Sequence, residues 1–227
     1  MGVDFSNHWL FLGGGGRGGG AVPPTRASAE AALRRALGET GLRDVTSEGE
    51  ADRSFVVAPA GRWLFIGDTA GTTDTADPEG FEALSRALST LAPVVDINMS
   101  DSAIMQVHLY RDGVHVDQFG NGTFPLYLFR DEAEAARYRG RPAAWADLLA
   151  PPYGADDLRS AWDQDDPADK LLDATGTFLG LHPELVRVGY THDDEGLGVK
   201  YDEYLELNGV TVSGLEEHHF ARESSQG

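Results

Sequence analysis

The sequence predicts an α+β fold, in which a mixed, mainly antiparallel sheet has helices packed on one face and carries a helical insert. Three observations lead to this class. Apolar segments occur as hairpin pairs, helical periodicity lies between those pairs, and a helix-rich stretch from 130 to 185 precedes the last predicted strands. Strands and helices therefore do not alternate as they would in a parallel α/β sheet.

Residues 1–27 are predicted to form one strand, around His8–Leu12, and a glycine-rich loop. The loop has glycine at every position from 13 to 20 except Arg17. A phosphate-binding loop of the Walker type needs Gly-Lys-Ser/Thr leading directly into a helix. This run has no lysine, and two prolines follow it. We therefore interpret it as a surface loop.

Residues 28–129 are expected to form the α+β core. Ser28 precedes a helical pattern of Ala, Leu and Arg that ends at Gly38. Residues 54–58 and 62–67 are rich in β-branched and aromatic side chains and flank a Pro-Ala-Gly turn. This arrangement predicts a hairpin.

The second half of this core is expected to contain a helix and a second hairpin. Asp77 is a favourable N-cap and Pro78 a favourable first-turn residue, so a helix is predicted to begin there. Asp112-Gly113 lies between two alternating segments and is the strongest hairpin signal in the chain.

The rest of the chain divides into three predicted segments. Residues 130–185 are expected to form an acidic helical insert. Residues 186–220 are expected to return as strands that complete the core, with strands around 185–190 and 201–213. Residues 221–227 are predicted to be a flexible tail.

Composition narrows the function classes. The formal net charge is −19, from 37 acidic and 18 basic residues among 227. This charge disfavours nucleic acid and anionic membranes and favours a basic protein partner. There is no cysteine, which excludes disulfides and thiol chemistry. No apolar segment reaches membrane-spanning length, so we expect a cytoplasmic protein. The composition is typical of a bacterial protein. We expect no cofactor.

The second hairpin carries the best candidate catalytic or metal-binding group. With a two-residue turn, Tyr110 would lie opposite His115, and His108 opposite Asp117. These four side chains would then share the face opposite the apolar residues. Cross-strand neighbours lie about 5 Å apart, so the group could orient an imidazole for acid–base chemistry or bind a divalent metal. The alternative is an ordinary polar sheet face.

Carboxylate clusters give a second set of candidates. The spacing of acids from Asp163 onward resembles a calcium loop, but Ala168 and Ala174 occupy the places that need Gly and Glu. Glu216–His219 is a further candidate for metal binding. The acids of the insert are instead predicted to contact a partner; they are Asp156, Asp157, Asp163, Asp165, Asp166 and Asp169.

One segment also resembles known proteins. It is similar to a group of uncharacterised bacterial proteins of actinobacterial type and, more distantly, to small α+β immunity proteins that neutralise polymorphic toxins. The similarity covers about half of the chain and lies in structural positions, which are Trp63, Leu84-Ser85, Val94–Ile97, Ser100-Asp101-Ser102 and Tyr110–Gly113. The resemblance implies no active-site residues.

These observations favour a non-catalytic, acidic protein-binding module, in its sharpest form an immunity or antitoxin-like protein that neutralises a basic effector. One alternative is a metal-dependent hydrolase that uses His108, His115 and Asp117, with Tyr110 nearby. A second alternative is a structural module without a dedicated site.

Overall fold

The computed structural model describes residues 5–13, 24–71, 77–121, 132–189, 191–192, 199–200 and 212–222. The glycine run from position 14 onward and most of the strand expected between 201 and 213 lie outside these residues.

An eight-stranded antiparallel sheet forms the centre of the described structure, with strand order β2-β10-β3-β4-β1-β5-β6-β7. The strands β8 and β9 form a separate pair. In chain order the strands are β1 (Phe5–Phe11), β2 (Leu42–Val45), β3 (Arg53–Ala60), β4 (Trp63–Asp68), β5 (Val94–Ser100), β6 (Ile104–Arg111), β7 (Val114–Gly120), β8 (Thr191–His192), β9 (Val199–Lys200) and β10 (Glu216–Arg222).

Strand β1 lies in the interior of the sheet, between β4 and β5. Trp9 is opposite Phe65 on one side and Val95 on the other, and all three side chains are buried. The N-terminal strand predicted from the sequence is therefore an integral part of the core.

The helices are α1 (Arg26–Glu39), α2 (Pro78–Ser89), α3 (Glu132–Ala136), α4 (Ala155–Trp162) and α5 (Ala168–Leu179). Asp77 caps α2 as predicted, because its Oδ1 accepts a hydrogen bond from the backbone N–H of Gly80 at 3.0 Å. Helix α1 begins earlier than expected. Its N-cap is Thr25, and Ser28 is the third helical residue of a reciprocal capping box.

Helices cover both faces of the sheet. Leu33 of α1 and Leu84 of α2 pack with the apolar side chains of one face, including Leu10. The insert covers the opposite face, where Trp145 and Trp162 pack against residues that include Leu109. The predicted α+β class is confirmed, and the insert supplies a second helical layer.

Residues 185–189 do not form the strand expected over 185–190, and residue 190 lies outside the described residues. Leu185–Arg187 is a short 3-10 helix. The backbone oxygens of Val186 and Val188 lie 3.3 and 2.6 Å from the side-chain amide of Asn7, which donates to both. The expected strand is therefore wrong here, since this segment packs across β1 and is held by a side chain.

Candidate functional site

The hairpin that joins β6 and β7 forms as predicted, but a β-bulge changes its register. Tyr110 lies opposite His115 as expected. The next pair is Leu109 with Asp117, and His108 lies opposite Gln118. The predicted His108–Asp117 pair is therefore wrong. One extra residue in β7 breaks the alternation and turns Asp117 to the other face of the sheet.

Asp117 connects the insert to the sheet. The residue is buried, with 7% of its surface exposed. Its Oδ2 accepts hydrogen bonds from the indole N–H of Trp145 at 2.7 Å and from the backbone N–H of Arg141 at 2.6 Å. Its Oδ1 accepts one from Nε of Arg141 at 3.1 Å. These bonds assign Asp117 a structural role.

The other three residues of the predicted group remain together on the α2 face. Nδ1 of His108 lies 3.2 Å from Nε2 of His115, and the Tyr110 ring lies 5.0 Å from the His115 ring. Burial lowers the pKa of His108 to about 4. Burial also lowers the pKa of His115 and raises the pKa of Tyr110. All three groups are therefore uncharged near neutral pH.

A buried ionic network lies two strands away and was not predicted. His8 is fully buried, and its Nδ1 lies 2.8 Å from Oδ1 of Asp96 and 2.9 Å from Oγ of Ser85. The Ser85 hydroxyl donates to Oδ2 of Asp96 at 2.6 Å. Nε2 of His8 lies 3.4 Å from Oδ2 of Asp68. Both ring nitrogens of His8 therefore face a carboxylate.

Arg53 completes this network by donating two hydrogen bonds to Asp68, at 3.0 and 2.5 Å. Burial alone would lower the pKa of His8, but Asp96 and Asp68 outweigh burial and raise it. Burial alone would raise the pKa of Asp68, but Arg53 and His8 lower it. His8 and Arg53 therefore lie against the carboxyl groups of Asp68 and Asp96 in one buried network.

A cleft of about 450 Å³ lies beside the network, between α2 and the strands β1, β5 and β6. Its volume is within the range of small-molecule sites. Its lining combines apolar groups such as Phe81 with eight polar side chains, which are Ser6, Glu82, Asp96, Asn98, Ser100, Gln106, His108 and Tyr110.

The sequence contains a signal for this surface. In β5, Asp96 and Asn98 alternate with the apolar residues Val95, Ile97 and Met99. Such alternation places the polar groups on one face of the sheet. The imperfect alternation of residues 94–99 predicts a buried strand, and His8 lies in a segment rich in aromatic and aliphatic residues, so the sequence alone does not indicate a site at either.

The predicted partner-contacting residues lie on and between α4 and α5. Asp156 and Asp157 are in the first turn of α4, Asp163 follows its last turn, and Asp169 is in the first turn of α5. These four and Asp165 are exposed, and Asp166 is half-buried.

Two of these six carboxylates have a partner among the described residues. Asp157 accepts a hydrogen bond from the backbone N–H of Gly154, and Asp166 lies 3.8 Å from Nζ of Lys170. Within the described part of the chain, no ion pair or side-chain hydrogen bond involves the other four, which are Asp156, Asp163, Asp165 and Asp169.

The candidate metal ligands at the C-terminal strand lie among arginines. Ligand atoms of Glu30, Glu216 and His218 come within 4.8 Å of one another. However, Arg26 binds Glu30 at 2.6 Å and Glu216 at 2.7 Å, and Arg34 Nη2 lies 3.3 Å from Nδ1 of His218. Guanidinium groups already neutralise these carboxylates, which makes the cluster unfavourable for a cation.

Comparisons with known proteins do not identify this chain. No protein-family model, no curated protein and no solved structure matches it. Among the described helices, none is long and apolar enough to cross a membrane.

Proposed function

We propose that the protein is a non-catalytic module that binds a basic protein through an acidic helical face. This face consists of Tyr153, Asp156, Asp157, Asp163, Asp165, Asp166 and Asp169. The observation that carries the proposal is that exposed aspartates cluster here, four of them with no ion pair or side-chain hydrogen bond among the residues that the structure describes. Residues 153–173 contain seven aspartates and only two basic residues, Arg159 and Lys170.

The inner side of helices α4 and α5 packs in the hydrophobic core. Leu158, Trp162 and Leu172 are buried against the sheet. The aspartates outside them contribute little to packing and repel one another, although those in first helical turns interact favourably with the helix dipole. Such a surface accelerates association with a positively charged partner, and salt weakens that attraction.

Tyr153 supplies an aromatic contact at the edge of the face. Its ring lies 4.8 Å from that of Phe178, and 36% of the residue is exposed. Tyrosines held in place beside charged residues often carry much of the energy of an interface. Charge would then steer the partner, and Tyr153 would contribute to the lifetime of the complex.

The sharper form of the proposal is an immunity or antitoxin-like protein that neutralises a basic effector. Its support is the resemblance to immunity proteins that the sequence suggests around Trp63 and Tyr110–Gly113, together with the net charge of −19. In this role the acidic helical face would cover a positively charged surface that the effector needs for its activity.

The test replaces four unpaired aspartates in the variant D156N/D163N/D165N/D169N. A matched control, E39Q/E50Q/E79Q/E132Q, changes the net charge equally at exposed positions elsewhere. Each protein is used for affinity capture from a lysate of its source organism, at about 50 mM and about 500 mM salt, and captured proteins are identified by mass spectrometry.

We expect the wild type and the control to capture the same basic protein at low salt, and the aspartate variant to lose it. Capture that is insensitive to salt, or equal in both variants, would contradict the proposal. The immunity role additionally requires that the captured protein be toxic when expressed. The wild type, and not the aspartate variant, should then restore growth.

A further inference from the structure

The floor of the cleft is a regular array of polar side chains across three strands. Ser6, Asn98 and Gln106 are cross-strand neighbours in one row. His8, Asp96 and His108 form the next row. Neighbours lie about 5 Å apart across the strands, and successive rows about 7 Å apart along them. The array is about the size of a small ring-shaped molecule.

Several groups of the cleft have unused hydrogen-bonding capacity. Among the described residues, the side chains of Ser6, Asn98, Ser100 and Gln106 have no hydrogen-bond partner in the protein. Each oxygen of Asp96 accepts one hydrogen bond from the network and can accept another. The floor therefore presents both donors and acceptors to a ligand.

The cleft carries little net charge despite the acidity of the protein. His8 balances Asp96, and Glu82 is in an ion pair with Arg86 at 2.6 Å. His108 is neutral, as described above. A charged ligand would find no uncompensated opposite charge here, whereas a neutral one would find hydrogen-bonding groups already in place.

We propose that this cleft binds a small, neutral, hydroxyl-rich molecule of the saccharide or polyol class. A hydroxyl group both donates and accepts hydrogen bonds, and so do the amides of Asn98 and Gln106 and the neutral imidazole of His108. Phe81 and Pro78 supply an apolar wall for the C–H surface of such a ligand. The site is independent of the acidic helical face, which lies on the other side of the sheet.

The test is a titration of ¹⁵N-labelled protein with glucose, galactose, mannose and myo-inositol, followed by amide chemical shifts. Glucosamine and glucuronate serve as charged comparators. We expect at least one neutral probe to give saturable shifts in β1, β5, β6 and α2, with a dissociation constant on the order of millimolar. The double variant N98A/Q106A should bind it at least about tenfold more weakly.

Q164A on α4 is the matched control and should bind as the wild type does, because Gln164 is exposed and distant from the cleft. Asn98 and Gln106 have no described hydrogen-bond partners, so we expect the double variant to fold. If it does not fold, the single variants N98S and S6A test whether the row of Ser6, Asn98 and Gln106 binds the ligand.

Three results would overturn the proposal. They are the absence of saturable shifts with every neutral probe, shifts that map outside the cleft, and tighter binding of either charged comparator than of its neutral counterpart. The variant D156N/D163N/D165N/D169N should bind the neutral probe normally. Loss of partner capture with intact saccharide binding would therefore separate the two proposals.

Discussion

His108 should make the stability of the protein depend on pH between neutral and mildly acidic conditions. Burial lowers the pKa of its imidazole from 6.5 to about 4 in the folded protein. The unfolded chain therefore binds more protons in this interval, and the free energy of unfolding falls as the pH falls. Between about pH 7 and about pH 4.5 the expected loss from this one group is about 2 kcal/mol.

The variant H108Q removes the titrating group. Urea unfolding at the two pH values gives the decrease in the free energy of unfolding for the wild type and for the variant. This decrease should be about 2 kcal/mol smaller in the variant. The pH dependence of other groups, such as Asp68, largely cancels in this comparison. The control is Q118A, since Gln118 is the cross-strand partner of His108 and does not titrate. Equal losses in the wild type and H108Q would refute the reasoning.

Three further variants test the buried contacts, each by urea unfolding. D117A leaves the indole N–H of Trp145 without its acceptor and should lower the free energy of unfolding by about 3 kcal/mol; a change below about 1 kcal/mol would argue against the anchoring role. G140A places a Cβ 2.3 Å from the Trp162 ring at a φ of +66° and should cost about 2 kcal/mol or more, whereas an unchanged midpoint would mean that the ring can move. H8L leaves the buried carboxylates of Asp68 and Asp96 without the imidazole that they share and should lower the free energy of unfolding by about 3 kcal/mol. An unchanged free energy of unfolding would show that the network is dispensable for folding.

The parts of the fold that could be predicted are those set by neighbouring residues. The turn at Gly61 and the turn at Asp112-Gly113 each join adjacent strands, and Asp77 caps the helix that follows it directly. The order of the strands could not be predicted. Nothing local in β1 indicates that it lies between β4 and β5, because that placement depends on residues more than fifty positions away.

The candidate sites also could be predicted only where neighbouring residues determine them. Tyr110 and His115 pair as expected because they lie next to the turn, but a bulge one residue further on separates Asp117 from His108. The network of His8 could not be derived by periodicity alone. Its carboxylate partners are 60 and 88 positions away, and only the fold shows that they converge on one imidazole.

The position of β10 has a consequence for how the protein is made. This strand, residues 216–222, lies between β2 and β3, and within the described sheet it is the strand that connects residues 42–45 to the other strands. During synthesis on the ribosome the eight-stranded sheet therefore cannot be completed until almost the whole described chain has emerged. Until then the nascent protein exposes an open edge along β3, where a chaperone could act or a neighbouring chain could join in error.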